Sequence, residues 1–217
     1  MKKHQCALFD LDGVIVDTAK HHFLAWKKVA SNLDYILTEE DNEQLKGVSR
    51  PDSLQIILKM ARKSIDSKDF EACLVQKNKD YLESIKNVSP GDVLPGITDA
   101  LAFLNKKRIK IGLGSASKNA KVILDRLELT SYFEVIIDGN QVEKSKPDPE
   151  VFLKGSTALQ IAPEYCVVFE DSASGILAAK AAGMTAIALG NPKVFSNYDF
   201  CYPDFLPLVD RDLAQLF

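Results

Sequence analysis

Apolar positions along the chain follow two different periods, and the change from one to the other divides it. Cys6-Ala7-Leu8-Phe9 is a short continuous apolar run of the kind a fully buried strand carries. No second strand pattern follows until about residue 109. Instead Phe23, Trp26, Ala30 and Leu33 recur at helical spacing, as do Leu54, Ile57, Leu58 and Ala61, and then Phe70, Cys73, Leu74 and Tyr81. These spacings predict three or four helices able to pack as a small bundle. From Gly91 onward strand and helix patterns alternate. Ile109-Lys110-Ile111-Gly112-Leu113-Gly114, Val135-Ile136-Ile137, Cys166-Val167-Val168-Phe169 and Thr185-Ala186-Ile187-Ala188-Leu189 read as strands. Helical patterns at Ile97, Ala100, Leu101 and Leu104, at Ile123, Leu124 and Leu127, and at Val151, Phe152, Ala158 and Leu159 precede or separate them. Such alternation predicts an α/β fold, a doubly wound parallel sheet with helices on both faces.

One strand cannot form a sheet, so the first must pair with the later ones. The helical stretch from about residue 16 to 90 is then an insertion, a cap placed directly after the first strand. The core is discontinuous, made of residues 1–15 and 91–217, and Pro90-Gly91 and Pro95-Gly96 punctuate the return to it. There is no internal repeat and no low-complexity segment.

Composition excludes several classes. With 46% hydrophobic and 26% charged residues, the 217-residue chain reads as an ordinary soluble protein with enough apolar content for a core. A net charge of −3 gives no electrostatic case for nucleic acid or an anionic membrane. No apolar stretch is long enough to span a bilayer, and Met1-Lys2-Lys3-His4 leaves no room for a signal peptide before the first strand. Cys6, Cys73, Cys166 and Cys201 show no CxxC spacing, and Cys6 and Cys166 lie in apolar strand-like runs, so buried thiols in a reducing cytoplasm are expected.

The candidate chemistry collects at strand ends, where ligands bind in open parallel sheets. Asp10-Leu11-Asp12-Gly13 follows the first strand. One acid can attack or ligate a metal while the other exchanges a proton, and Gly13 permits a sharp turn. The tetrapeptide alone fits a capped turn equally well. Ser115-Ala116-Ser117-Lys118-Asn119, after the second strand, offers hydroxyls and backbone N–H groups for an anion at a helix start, or an ordinary N-cap at Ser117. In Lys144-Ser145-Lys146-Pro147-Asp148-Pro149 the residue before proline is stiff, so Lys146 should project from a fixed backbone. Asp148 and Pro149 read as N-cap and first helical residue, and Lys144 as solvated. Glu170-Asp171 leaves a buried strand, where adjacent acids need a partner, solvent or a cation such as Mg²⁺. Together these segments make an inventory for phosphoryl transfer.

Asp10-Leu11-Asp12-Gly13-Val14, Ser115, Lys146-Pro147 and Glu170-Asp171 resemble, in order, the four signature motifs of the haloacid dehalogenase superfamily. The likeness covers essentially the whole chain. In the cap, His21-His22-Phe23-Leu24-Ala25-Trp26, Asn42-Glu43-Gln44-Leu45-Lys46-Gly47-Val48-Ser49-Arg50 and Gln76-Lys77-Asn78 resemble the β-phosphoglucomutase family within it. The resemblance implies a Rossmann-like core under an inserted helical cap. It also implies a magnesium-dependent enzyme that interconverts β-D-glucose 1-phosphate and glucose 6-phosphate through an aspartyl phosphate and glucose 1,6-bisphosphate. Asp10 would be the nucleophile and Asp12 the general acid and base, with Ser115 and Lys146 completing the catalytic set. Asp10, Asp12, Glu170 and Asp171 would surround one Mg²⁺.

By the same resemblance Thr18, His22, Trp26, Gly47, Val48, Ser49, Arg50, Ser53 and Lys77 of the cap, with Ala116, Ser117, Lys118 and Asn119 of the core, would bind the phosphosugar. Thr18 would be a hinge and His22 would orient Asp12. Arg50 would hold the phosphate that does not react, since guanidinium matches phosphate bidentately; read alone, it is a surface arginine. Lys77 sits in an apolar stripe, where snorkelling along the helix is the ordinary explanation, and His22 with Trp26 is equally a packed aromatic pair. Pro51 replaces an acid common in the family, which fits a first helical turn and should stiffen Arg50. A monomer is expected, with Asp10 largely exposed when the cap is open. The rivals are a sugar-phosphate hydrolase of the same superfamily, a phosphonate-cleaving relative using Lys77, and a non-catalytic phosphate-binding module. The segment from Lys193 onward carries no assignment.

Overall fold

Cys6–Phe9 forms β1 near the middle of a six-stranded, all-parallel sheet in the computed structural model, which describes residues 4–217. Met1, Lys2 and Lys3, on which the expected lack of a signal peptide rests, lie outside the described residues. The other strands are β2 (Lys110–Gly114), β3 (Val135–Ile137), β4 (Cys166–Glu170), β5 (Thr185–Leu189) and β6 (Phe200–Tyr202), in the order β3-β2-β1-β4-β5-β6. Register places Phe9 beside Leu113 on one side and Phe169 on the other. The carboxyl ends of β1, β2 and β4 therefore sit side by side, and the strand order reverses at β1. That is the crevice where an open α/β sheet binds ligands.

Alternate residues of each strand feed opposite cores, as a period of two requires. Ala7, Phe9, Val167, Phe169, Ile187 and Leu189 face one cluster, while Cys6, Leu8, Cys166, Val168, Ala186 and Ala188 face the other. The first is closed by α5 (Ile97–Lys106), by α6 (Ala120–Arg126) and by a helical run over residues 205–216. Its centre is aromatic, with Phe9 4.8 Å from Phe169 and 5.8 Å from Phe205 between ring centroids. The second is closed by α7 (Glu150–Leu159) and α8 (Ala173–Ala181).

Between β1 and α5 lie α1 (Ala19–Asn32), α2 (Glu39–Glu43), α3 (Arg50–Ala61) and α4 (Ser67–Ser84). They share an apolar cluster of their own built on Trp26, Val29, Ala30, Leu54, Ile57 and Leu74. Ser49 caps α3 by accepting from the Asp52 N–H at 3.3 Å, and Pro51 falls in the first turn as expected. Tyr81 and Ile85 instead join the sheet's core and root the end of α4 there. No helix of the described residues is long and apolar enough to cross a membrane, and all four cysteines are free.

Two local expectations are corrected, and one unassigned segment is placed. α7 opens at Glu150, one residue later than Asp148 as cap implies; Pro149 takes the cap position while the Asp148 carboxylate accepts from the Glu150 N–H at 3.0 Å. The segment from Ser115 to Asn119 does not open α6 but forms a loop before it, with the Ser117 hydroxyl accepting from the Asn119 N–H at 3.3 Å. The unassigned C-terminal segment supplies the edge strand β6 and seals one core with Phe205, Leu208 and Leu213.

Candidate active site

Asp10 continues the ladder beyond β1, its N–H donating to the Phe169 carbonyl at 3.0 Å. The chain then turns through Gly13 at φ +78°, where a side chain would also collide with the Asp171 carboxylate. Glycine is required there on both counts. Asp10 is only 4% exposed with the helices seated over it, so the open arrangement for which exposure was expected is not the one seen here. Lys146 fixes it. Its Nζ donates to Asp10 Oδ1 and to Glu170 Oε2, both at 2.7 Å, and lies 4.8 Å from the centroid of the Phe152 ring. The Lys146–Pro147 peptide bond is cis. Glu170 is fully buried and its other oxygen accepts from the N–H groups of Asp171 and Ser172 and from the Ser172 hydroxyl.

Oxygens of Asp10, Glu170 and Asp171 lie within 4.8 Å of one another. One ammonium cannot neutralise three carboxylates. Burial alone would lower Lys146, but Asp10 and Glu170 outweigh it and raise its pKa, so it stays charged. Burial, then Glu170 and Asp10, hold Asp171 well above the usual carboxylate range, and burial with Glu170 pushes Asp10 up to about 8. Surplus negative charge on hard oxygen donors fits a divalent cation such as Mg²⁺. The Asp12 carboxylate, expected in the same set, is not in this trio: Thr18 donates its hydroxyl to Asp12 Oδ1, and His22 Nε2 lies 3.7 Å from the same oxygen.

Asp12 thus belongs to a second cluster. Lys77 is 2% exposed and does not snorkel; its Nζ lies 2.7 Å from His22 Nδ1 and 4.9 and 4.8 Å from the Trp26 and Tyr81 ring centroids. His22 stacks on Tyr81 at 4.1 Å. Burial and Arg50 lower Lys77 to about 7, and burial and Lys77 lower His22. Burial, partly offset by Lys77, brings Asp12 to about 6, close to neutrality. A carboxyl so poised suits proton exchange.

A cavity of about 80 Å³ separates the helices from the sheet edge. Of the residues expected there, Asp10, Asp12, His22, Trp26, Gly47, Val48, Arg50, Ser53, Lys77, Ser115, Ala116, Ser117, Lys118, Asn119 and Asp171 line it. Thr18, Lys146 and Glu170 stand behind the wall, and Ser49 is spent on capping α3. Arg50, at the start of α3, is half-buried and forms no ion pair among the described residues. Sequence reasoning missed Ala19, Asn42, Leu45 and Lys46 on the wall. For Asn42, Leu45 and Lys46 the only signal was position within the stretch ending at Arg50; Ala19 had only its place beside Thr18.

The model of the haloacid dehalogenase-like hydrolases matches residues 7–189. The chain belongs to that family. Among its relatives, β-phosphoglucomutase of Bacillus subtilis is 43% identical over 188 residues, 86% of this chain and 83% of that one. The phosphorylated carbohydrates phosphatase of Thermotoga maritima is 34% identical over 84% of this chain and 83% of its own. The crystal structure of β-phosphoglucomutase from Clostridium difficile superposes with a TM-score of 0.92 at 33% identity, covering 98% of each chain.

Proposed function

We propose that this haloacid dehalogenase-like enzyme is a β-phosphoglucomutase, interconverting β-D-glucose 1-phosphate and glucose 6-phosphate with glucose 1,6-bisphosphate as activator and intermediate. The observation that carries the reading is a closed cleft with cationic groups at both of its sides: Lys146 behind Asp10 on the sheet, Arg50 without an acidic partner on α3. A phosphatase needs to hold one phosphate; a mutase must hold two. Residues 16–90 act as the cap domain over a core of residues 1–15 and 91–217. The cleft is far smaller than the roughly 300–1,000 Å³ of small-molecule sites, so the cap moves off the sheet edge to admit substrate. Every group invoked comes from one chain, which supports a monomer, and free cysteines with a phosphosugar substrate support the cytoplasm.

In this mechanism Asp10 Oδ first takes a phosphoryl group from glucose 1,6-bisphosphate and becomes an aspartyl phosphate. Asp12 then takes the proton of the 6-hydroxyl of β-D-glucose 1-phosphate as that oxygen attacks the aspartyl phosphorus, which forms the bisphosphate and frees Asp10. The bisphosphate turns end for end. Asp10 attacks its C1 phosphorus, and the P–O bond to C1 breaks as Asp12 returns its proton to the leaving oxygen, so that glucose 6-phosphate departs and the aspartyl phosphate is restored. Lys146 holds Asp10 in line and offsets charge on the transferring group. Asp10, Asp171 and Glu170 would hold Mg²⁺, which supplies further charge neutralisation there. Ser115 and the Ala116 to Asn119 loop cradle the reacting phosphate. His22 and Lys77 set the protonation of Asp12, and Thr18 anchors it. Ser53, Gly47 and Val48 contact the sugar beside Arg50, while Trp26 walls the cleft.

A phosphosugar phosphatase is the second reading, favoured by the likeness to the Thermotoga enzyme. Arg50→Ala separates the two. For a mutase it weakens phosphosugar use by roughly 2–3 kcal/mol, the worth of a charge-assisted bidentate contact, and raises the ratio of hydrolysis to isomerisation. Uptake of phosphoryl from acetyl phosphate, which presents nothing to Arg50, falls much less. Equal losses for both substrates with an unchanged ratio would favour the phosphatase.

A further inference from the structure

Besides the Thr18–Asp12 and Arg126–Ile85 contacts near its two ends, three side-chain hydrogen bonds join the helical insertion to the segments that follow β2, β3 and β4. Asn119 Nδ2 donates to Asn78 Oδ1 at 3.0 Å and Ser174 Oγ to the Lys46 carbonyl at 3.0 Å. The shortest runs from Ser145 Oγ to Asp52 Oδ2 at 2.6 Å, across 93 residues of chain. Asp52 lies in the first turn of α3, two residues from Arg50, and Ser145 directly precedes Lys146. The same Oδ2 also accepts from the Ser49 hydroxyl at 2.6 Å, which ties the carboxylate to the cap of α3 and fixes its aim. The Asp52 oxygen thus joins the two places that carry the cleft's opposed cations. Neither Asp52 nor Ser145 lines the cleft, so neither is placed to touch the sugar.

We propose that Asp52 and Ser145 are positioning residues: their hydrogen bond is the latch that seats α3, and with it Arg50, over Asp10 when the cap closes. The inference rests on the reading of the cleft as a phosphosugar site and adds to it a pair outside the binding wall. The bond is charge-assisted, so it contributes more than a neutral hydroxyl contact, and it must break whenever the cap opens. Each turnover of a bisphosphate intermediate then depends on how often the latch is shut, because an open cleft admits water to the aspartyl phosphate.

The test uses the full chain with Ser145→Ala, Ser145→Thr, Asp52→Asn and the double variant Ser145→Ala/Asp52→Asn. Trp26, the sole tryptophan, is 3% exposed and lines the cleft, so acrylamide quenching of its fluorescence reports opening without any substrate. Ser145→Ala should raise the quenching constant at least twofold and KM for the phosphosugar roughly tenfold. Phosphoryl uptake from acetyl phosphate should stay near wild type, and Ser145→Thr, which keeps the hydroxyl, should restore both readings. The double variant should be no worse than the worse single one, since one bond is lost in each. Wild-type quenching and KM in Ser145→Ala, or additive losses in the double variant, would overturn the latch. Quenching needs no sugar, whereas the mutase reading stands on bisphosphate dependence, so the two fail in different measurements.

Discussion

At the residue scale, three acids of the candidate site are held apart by different neighbours. Asp10 is held by Lys146, Glu170 by backbone and Ser172, and Asp12 by Thr18 away from both. Asp10→Asn should abolish phosphoryl uptake in a folded protein, whereas Asp12→Asn should bind phosphosugar and lose about 10²–10⁴ in turnover, the range of a general acid–base group. Single-turnover kinetics with binding measured separately checks both; an unchanged rate in Asp12→Asn removes it from the mechanism. Lys77 gives a pH prediction. Burial lowers its pKa from 10.5 to about 7, so between those values the unfolded chain binds more protons than the folded one. Stability should therefore rise with pH from about 7 to about 10.5, by at most about 1.4 kcal/mol per pH unit from this group. Lys77→Met should lose that part of the slope and be the more stable protein below pH 7, as urea unfolding at several pH values will show. Identical slopes for both proteins would mean that the amine is not desolvated.

At the element scale, what sequence made legible follows from burial. β1, β4 and β5 are covered on both faces and read as continuous apolar runs, so their positions and the acids at their ends stood out. β6 is an edge strand with Phe200 exposed and Cys201 and Tyr202 half-buried, which leaves no run to detect. α2 buries none of its residues and has no hydrophobic period; only the capping box of Thr38 and Asp41 marks it. Lys77 was legible as a cation in an apolar stripe with Tyr81 one turn along the same helix, but its His22 and Trp26 partners come from packing α1 on α4. Asn42, on α2, and Lys46, between α2 and α3, reach the cleft only through the way this segment packs over the sheet edge, a tertiary fact. The β1 exit is the most constrained turn. Gly13→Ala should strain φ +78° and drive the Asp171 carboxylate aside, costing stability and at least tenfold in Mg²⁺ affinity, by calorimetry. Wild-type affinity would show that the turn tolerates a side chain.

At the scale of the whole molecule, a parallel sheet gathers Asp10, Lys146 and Glu170 from residues as far as 136 apart, and the insertion brings Arg50 to the same cleft. The concentration of acids has a thermodynamic consequence. Chelator should silence the enzyme, and Mg²⁺ should both restore turnover and raise the melting temperature, because it binds the folded cluster and not the unfolded chain. Asp171→Asn should remove most of that thermal shift, and a shift of wild-type size would place the ion elsewhere. The account's central claim is transfer between two ends of one sugar and not hydrolysis. The most direct measurement is turnover of β-D-glucose 1-phosphate with and without a trace of glucose 1,6-bisphosphate, following glucose 6-phosphate and inorganic phosphate together. The account predicts glucose 6-phosphate formation that depends on the bisphosphate, with little phosphate released. Phosphate release at a comparable rate, indifferent to the bisphosphate, would contradict it.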